Sequence, residues 1–212
     1  IEVSDPAAMA GDIKEVARFL GAHLAGICKL DQYHVYPYRF AEPYKGPQTE
    51  KIPVELKHSY AISIGIKMDL QKIRSTPSYI DHAEVGRTYA AVAWTACELA
   101  AYIRELGYPA RAHHTANELV CHVPIAVQAG LGELGRNGIL VSSRFGPCLR
   151  LATVTTDLPL ATDSPVNLGV DAFCAICKKC ASNCPGRSIP SDGKGLYKGV
   201  EKWKIDQVAC VR

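Results

Sequence analysis

The spacing of apolar residues predicts two helices in the first half of the chain. Apolar side chains recur every three or four positions over 12–26, behind Asp12, a residue that favours a helix N-cap. The same spacing runs through 83–106, where Gly107 and a nearby proline end the pattern. We therefore expect two amphipathic helices, the second being the longest in the chain.

Alternating apolar and polar positions predict the strands. Residues 60–68 alternate without a break, which is typical of a strand. Two more strands are expected at 139–143 and 149–160, on either side of a short turn. The polar stretch 41–58, with its three prolines, is expected to be a surface loop. Because helices and strands follow one another, the predicted fold class is a layered α/β (α+β) core.

The composition predicts one main core and a smaller second unit. A chain of 212 residues with 48% hydrophobic and 21% charged residues is ordinary for a globular protein. At about Thr162 the helix and strand patterns give way to loop residues and cysteines. We therefore predict a core over 1–162 and a separate small domain over 163–212.

Net charge and hydropathy give no sign of a nucleic acid partner or of a membrane span. A formal net charge of +3 with scattered basic residues does not indicate nucleic acid binding. No apolar stretch approaches the roughly 20 residues that span a membrane, and no signal peptide or twin-arginine motif is visible. Because the chain starts at Ile1 and stops at "QVACVR", we expect a fragment. The location is therefore open: cytoplasmic, or periplasmic and membrane-associated if a preceding segment carries a twin-arginine signal.

A run of four cysteines near the end of the chain indicates a metal centre. The segment "FCAICKKCASNCPGRSIP" has the C-x-x-C-x-x-C-x-x-x-C-P spacing of bacterial ferredoxins. Three thiolates spaced three apart can bind three corners of a 4Fe–4S cluster, and the cysteine before the proline can reach a second cluster. Zinc, which usually joins two separated cysteine pairs, and a disulfide set are the less favoured alternatives. The predicted metal ligands are Cys174, Cys177, Cys180, Cys184 and Cys210.

The chain alone cannot complete two such clusters. Only Cys210 remains downstream of the run, so at least three ligands would have to follow Arg212. The alternative is a single cluster with Cys210 as its fourth ligand, in which Cys184 would bind no metal. We favour two clusters. The remaining cysteines are interpreted as small buried apolar residues; they are Cys28, Cys97, Cys121 and Cys148.

Two other motifs invite a cofactor or metal interpretation. The turn "GLGELGRNG", from Gly130 to Gly138, lacks the spacing of a dinucleotide-binding fingerprint, so a nicotinamide cofactor is not expected. His113 and His114 are adjacent on a predicted strand and therefore point to opposite faces. Together with His122 they are interpreted as structural or pocket-lining residues.

Several segments together resemble one family. "QAGLGELGRNGILVSSRFGPCLRLATVTTDLPL", "FCAICKKCASNCP", "GVEKWKIDQVAC" and two earlier segments are similar to the cobalamin-dependent reductive dehalogenases. The related epoxyqueuosine reductases, which modify tRNA, share the glycine turn, "TDLPL" and the cysteine run. They usually carry a catalytic aspartate before the turn, where this chain has "ELVCHVPIA". The departure favours the dehalogenases and leaves the tRNA-modifying enzyme as the alternative.

The resemblance implies a fold, cofactors and a reaction. It implies a nitroreductase-like core that holds a base-off corrinoid (cobalamin), followed by a ferredoxin-like domain with two 4Fe–4S clusters. The implied reaction removes halide from an organohalide, R–X + 2e⁻ + H⁺ → R–H + X⁻. Electrons would come from a low-potential donor such as ferredoxin, flavodoxin or a membrane quinol system. No nucleic acid partner is expected, and a homodimer is possible.

The resemblance also implies site residues. The family's catalytic tyrosine lies at the start of the helix that runs into "IRELGYPA", which corresponds to Tyr89; a core tyrosine is the alternative interpretation. A phenol, with an ordinary pKa of about 10, needs a nearby cation to release its proton readily. Arg150, flanked by apolar residues, is the predicted cation, with Arg136 and Arg144 as rivals. The predicted corrinoid contacts are Asn117, Gly135, Arg136, Asn137, Gly138, Arg144, Phe145 and Gly146.

A third hypothesis belongs to another functional class. A ferredoxin-like electron carrier would explain the cysteines but would assign no function to the α/β core. Uptake of a corrinoid distinguishes the two enzyme hypotheses from the carrier.

Overall fold

The computed structural model describes residues 1–42, 49–197 and 199–211. Its strands are β1 (Leu24–Lys29), β2 (Tyr38–Phe40), β3 (Lys51–Pro53), β4 (Tyr60–Lys67), β5 (Ala110–His113), β6 (Glu133–Leu134), β7 (Leu140–Val141), β8 (Leu149–Thr156), β9 (Gly195–Tyr197) and β10 (Val200–Lys202). Its helices are α1 (Pro6–Phe19), α2 (Leu70–Ile73), α3 (Tyr79–Glu105), α4 (His122–Gln128), α5 (Val170–Cys177), α6 (Lys179–Ser182) and α7 (Gln207–Cys210). Within these residues, no helix combines the length and the apolar character that crossing a membrane requires.

A four-stranded antiparallel sheet lies at the centre, in the order β1-β4-β8-β5. The alternation predicted for 60–68 is confirmed as β4, whose residue Ile62 lies opposite Ile27 of β1 and Val154 of β8. Helices α1 and α3 cover one face, and α4 packs on the other. The expected layered α/β core is therefore present, and its sheet is antiparallel throughout.

Both predicted helices begin earlier than expected. Helix α1 starts at Pro6, because the Asp5 carboxylate accepts hydrogen bonds from the amides of Ala7 (2.8 Å) and Ala8 (3.2 Å). Asp12 is therefore an interior residue of α1, not its N-cap. The helix ends at Phe19, and Leu24, which the helical pattern had included, begins β1.

Helix α3 gains its first turn from a capping box. The hydroxyl of Ser78 accepts from the amide of Asp81, while the Asp81 carboxylate accepts from the amide of Ser78. The apolar pattern is weak in this turn, which is why it predicted a later start. At the other end Gly107, with φ +95°, stops the helix as expected.

Residues 41–58 are not a simple loop. Their described part contains β3, which pairs with β2 in a short antiparallel ribbon. The prediction for 43–48 lies outside the described residues. The predicted strands at 139–143 and 149–160 are present but shorter, as β7 and β8.

The cysteine segment, residues 162–211, has little interior of its own. Among its described residues only Ser188 and Trp203 are buried. Asp163 ties its start to the sheet core, residues 1–161: its carboxylate accepts from the amide of Ile27 (2.8 Å) and from the ammonium of Lys14 (2.6 Å). The predicted division near residue 162 and the ferredoxin-like character of this segment remain predictions.

The interpretation of the four scattered cysteines holds in part. Cys28 is buried, but Cys97 is exposed, and Cys121 and Cys148 are half-buried. Cys97 follows the buried Ala96 on α3, and one further step around the helix turns its side chain outward. The prediction of burial was therefore wrong for Cys97.

Candidate active site and cysteine segment

Tyr89 and Arg150 come together at the start of β8. Arg150 is two residues before Ala152 on this strand and so shares the sheet face that α3 covers. Tyr89 comes from α3, and the guanidinium carbon of Arg150 lies 4.4 Å from the centre of the Tyr89 ring. Tyr89 is half-buried and is not part of the main apolar cluster. The structure thus brings together the two residues predicted for the chemistry.

The surroundings of Arg150 leave one of its donors unused. Its Nε is buried and has no hydrogen-bond partner among the described residues. Burial raises the pKa of the neighbouring Cys148 thiol, and the cations Arg74 and Arg150 oppose that rise. A buried donor without an acceptor is costly, so a polar group is expected to fill this place.

A second positive region lies around His23. Burial is the main cause that lowers the pKa of His23, and the charges of Lys67, Arg144 and Arg87 add to it. The ring of Phe145 meets the His23 ring edge-on, with 5.9 Å between their centres. The predicted contacts Arg144 and Phe145 therefore belong to a cationic, partly aromatic surface.

The glycine turn is closed by its own hydrogen bonds. The amide of Gly135 donates to the carbonyl of Ile139, and that of Gly138 donates to the carbonyl of Gly135, both at 2.9 Å. The side-chain oxygen of Asn137 accepts from the amide of Ile139. The amides of Gly135 and Gly138, two of the predicted corrinoid contacts, are thus used within the turn. Gly146, with φ +54°, closes a similar turn by two hydrogen bonds with Ser142.

Arg136 does not occupy the place that was expected of it. It was predicted to contact a corrinoid or to serve as the cation beside Tyr89. It is only 2% exposed, and its guanidinium donates to backbone carbonyls of the cysteine segment. The correction has a physical reason: those carbonyls offer the buried cation more acceptors than a solvated turn would.

Asn117 lies in a different part of the molecule from the predicted turns. Its side-chain oxygen accepts from Nη2 of Arg111 at 2.9 Å. Both residues line a cavity of ≈ 690 Å³ whose wall includes Tyr36, Tyr38 and Phe40. Nε of Arg111 and Oε2 of Glu118 are buried beside it without hydrogen-bond partners among the described residues. Among the described residues, no hydrogen bond joins Asn117 to the glycine turn.

His113 and His122 are held by separate hydrogen bonds, which agrees with their interpretation as structural residues. The amide of Leu119 donates to Nδ1 of His113 (3.2 Å), so Nε2 of His113 carries the proton and donates to the Thr155 hydroxyl (2.9 Å). Nδ1 of His122 lies 2.9 Å from the Thr153 hydroxyl. Burial lowers the pKa of His113 to about 3 and that of His122 to about 4. Both are therefore neutral at physiological pH.

The cysteines of the run have ligand chemistry but are not gathered around one point. Among the described residues, no group of three or more His, Cys, Asp or Glu side chains converges on a common centre. Cys184 shows the chemistry most clearly: the Ser188 hydroxyl, 3.2 Å from its sulfur, lowers the pKa of the thiol, and the amides of Ser188, Ile189 and Gly186 add to that effect. A thiolate stabilised by several donors is the form that binds iron, so the donor set fits an iron–sulfur cluster.

Two contributors were missed by the sequence analysis. Glu133 accepts from the amides of Leu168 (2.5 Å) and Val170 (3.0 Å), which fixes the start of α5. Trp203 is buried against Arg136, with 4.4 Å between the guanidinium carbon and the ring. A single tryptophan in the polar stretch "GVEKWKID" was the signal available for it.

Comparison with known proteins identifies relatives of this chain. No protein-family model matches the chain. The tetrachloroethene reductive dehalogenase of Desulfitobacterium hafniense is 35% identical over an alignment of 241 residues. The alignment covers 93% of this chain and 43% of that protein. A solved reductive dehalogenase, described for B12-dependent dehalogenation, superposes with a TM-score of 0.89 at 33% identity over 99% of this chain and 29% of its own.

This chain belongs to the reductive dehalogenase family. The resemblance drawn from the motifs is thereby confirmed, and so is the mixed α/β fold. Another solved dehalogenase, in complex with 3-bromo-4-hydroxybenzoic acid, has a TM-score of 0.90 at 33% identity over 99% of this chain and 29% of that one. The chain spans less than half the length of the curated dehalogenases that it matches.

Epoxyqueuosine reductases are weaker relatives of this chain. That of Lactococcus garvieae is 38% identical over 72 residues, which cover only 34% of this chain and 19% of that protein. A solved epoxyqueuosine reductase with a tRNA stem loop has a TM-score of 0.65 at 14% identity over 96% of this chain and 56% of that one, which shows a shared fold alone.

Proposed function

We propose that this chain is part of the catalytic subunit of a reductive dehalogenase that removes halide from an organohalide with a corrinoid and two 4Fe–4S clusters. The 35% identity to a tetrachloroethene reductive dehalogenase supports the reaction class. The dehalogenase solved with 3-bromo-4-hydroxybenzoic acid supports a halogenated organic substrate. The observation that carries the proposal is the placement of Arg150 over the ring of Tyr89.

Tyr89 supplies the proton in this proposal. Reductive loss of halide leaves a carbon centre that must gain one proton, and a phenol hydroxyl can deliver it. Arg150 stabilises the negative charge that the phenol ring then bears, because a guanidinium over an aromatic face is attracted to its electrons. The bound corrinoid would supply the reducing chemistry that breaks the carbon–halogen bond, with electrons from the clusters.

Arg150 is suited to this task by its surroundings. Tyr89 covers one face of the guanidinium and Nε is buried, so water screens this charge less than that of an exposed arginine. The unpaired Nε supplies a donor for a polar group of a bound ligand. The cations around His23 would favour departure of the halide anion from the same end of the sheet.

The cysteine segment would hold the electron-transfer centres. Cys174, Cys177 and Cys180 would bind one cluster, and Cys184 would contribute to the second, as in bacterial ferredoxins. Cys210 is exposed on α7 and remains the candidate for a fourth ligand if only one cluster forms. The electron donor would be a low-potential carrier.

Tyr89→Phe in the full-length protein tests the proton donor. We expect halide release to fall by about 10²- to 10⁴-fold, since general acid catalysis contributes that much. Corrinoid and iron content should stay at the wild-type level. Tyr79→Phe is the matched control, because Tyr79 lies on the same helix but is 96% exposed. A Tyr89→Phe protein that releases halide at the wild-type rate contradicts the assignment.

The choice of substrate separates the two enzyme classes. The protein with its corrinoid should release halide from an aryl or alkenyl halide and leave epoxyqueuosine in tRNA unchanged. Turnover of epoxyqueuosine without halide release would assign the chain to the tRNA-modifying class. A protein that takes up no corrinoid would contradict both.

A further inference from the structure

Arg136 is a buried cation that no carboxylate neutralises. Its side chain is the largest of those that are almost fully buried, at 2% exposure. Within the part of the chain that the structure describes, no acidic group pairs with it; its hydrogen bonds all go to backbone carbonyls. Burying an arginine in this way is costly, so the bonds that it makes are expected to have a specific task.

The acceptors lie at the two ends of the cysteine run. Nε of Arg136 donates to the carbonyl of Cys174 at 2.9 Å, and Nη2 approaches that of Ala175 at 3.4 Å. Nη1 donates to the carbonyls of Pro190 (2.8 Å) and Asp192 (2.9 Å). One planar guanidinium from the sheet core therefore joins the entry and the exit of the loop that carries the cysteines.

The first pair of acceptors belongs to the end of α5. The last carbonyls of a helix lack intrahelical partners, and a cation near them is favoured by the helix dipole. Arg136 thus caps the helix that carries Cys174 and Cys177. Without it, these carbonyls would have to find other donors in a segment that has almost no interior.

Trp203 closes the arrangement from the other side. Its ring stacks on the guanidinium at 4.4 Å, and the ammonium of Lys194 lies 4.8 Å from the same ring. Trp203 is 6% exposed, so it shields the hydrogen bonds of Arg136 from water. The side chain is consequently held by contacts from three stretches of the cysteine segment.

We propose that Arg136 is a positioning residue: it fixes the two ends of the cysteine run before metal binds, and its charge favours the reduced state of the cluster held by Cys174, Cys177 and Cys180. The first part stands on the geometry alone. The second rests on the proposed function, because it requires that cluster. Reduction adds one negative charge to a cluster, and a nearby buried cation stabilises that charge.

The positioning part is tested in the full-length protein prepared without iron. Arg136→Met should raise amide hydrogen exchange over 172–192 by at least about tenfold and speed alkylation of Cys174 and Cys177, because local opening becomes easier. Exchange in β4 and β8 should not change, which shows that the core has folded. Arg104→Met is the control: Arg104 also donates to a backbone carbonyl, that of Ala110, but it is exposed on α3, away from the cysteine segment. Wild-type exchange and alkylation in Arg136→Met would overturn the positioning role.

Arg136→Lys separates shape from charge. A lysine keeps the charge but lacks the planar fork that reaches both ends of the run. We expect exchange in Arg136→Lys to stay close to that of Arg136→Met. Full restoration by lysine would show that the bridging geometry is unnecessary, and would overturn that part of the argument.

The electrostatic part is tested in the protein that carries its clusters. A redox titration followed by electron paramagnetic resonance should give Arg136→Met a more negative midpoint potential, while Arg136→Lys stays near the wild type. A tenfold change in the reduction equilibrium, the order expected for one nearby charge, corresponds to about 59 mV for one electron. Equal potentials in all three proteins would overturn this part. If the wild type binds no cluster at all, the proposed function fails, whereas the exchange experiment still decides the positioning role.

Discussion

The sheet core and the cysteine segment are held together by different kinds of interaction. In the core, Ile62 and Ile64 of β4 and Leu99 of α3 are completely buried in one continuous apolar cluster. The cysteine segment buries only Ser188 and Trp203 among its described residues. It is fixed by polar contacts of its own Asp163 with the core, and of the core residues Glu133 and Arg136 with its backbone. The core can therefore fold by burial of apolar surface, whereas the segment depends on a few hydrogen bonds and, in our proposal, on metal.

This difference assigns separate tasks to the two regions. The pair Tyr89 and Arg150 is built on a helix and a strand of the core, which hold it in place independently of the cysteines. The predicted ligands lie on the short helices α5, α6 and α7 and, for Cys184, in the loop after α6. Changes in one region should therefore leave the other largely intact.

Replacing a predicted cluster ligand should give the largest effect of the changes considered, on both iron content and halide release. Cys177→Ser in the full-length protein should remove one cluster, about half of the roughly eight iron atoms expected from the ferredoxin pattern, and abolish halide release. Thermal unfolding of the core should hardly change. Cys97→Ser is the control, because Cys97 is exposed on α3. Unchanged iron content in Cys177→Ser, or zinc without sulfide in the wild type, would contradict the assignment.

The same contrast decides what the sequence could predict. Strand β4 and most of α3 follow from apolar spacing, because burial of a regular face imposes that spacing. The pair Tyr89 and Arg150 came from the resemblance to the family, and the structure shows them in contact. The position of Arg136 could not have been predicted from the sequence. Its acceptors are backbone carbonyls, which every residue type carries. The hairpin of β9 and β10 was missed for a related reason, since it has no buried face to create a pattern.

Replacing one isoleucine in each region compares how much apolar burial there contributes to the free energy of unfolding. Ile64→Ala should lower the free energy of unfolding by about 2–5 kcal/mol, because Ile64 is fully buried and the change leaves a cavity. Ile176→Ala, on α5, should change it by less than about 0.5 kcal/mol, since Ile176 is 80% exposed. Urea unfolding of both variants, prepared without iron, gives the two values. Similar losses would mean that the cysteine segment shares the apolar core.

Acid should lower the free energy of unfolding of the core, by less than Ile64→Ala does. It should not act directly on the cysteine segment. Folding lowers the pKa of His113 from an ordinary 6.5 to about 3 and that of His122 to about 4, mainly through burial. Below pH 6.5 the unfolded chain therefore binds protons that the folded chain does not, and the stability present above that pH is lost as pH falls toward 4 and then 3. Between pH 7.5 and 6 we expect a loss of about 1–2 kcal/mol in urea unfolding. All seven histidines precede residue 162, so hydrogen exchange at pH 6 should rise in β5 and β8 before it rises in 172–192.

Replacing one histidine isolates its share of that slope. His113→Asn should lower the overall stability, because the hydrogen bonds to Leu119 and Thr155 are disturbed. The quantity to compare is the change of stability with pH, which should become shallower by up to about 1.4 kcal/mol per pH unit below pH 6.5, the contribution of one proton. Equal slopes in the variant and the wild type would show that His113 is not the group that makes the core acid-sensitive. The contrast between the regions would then rest on apolar burial, because the buried His113 would contribute nothing that depends on pH.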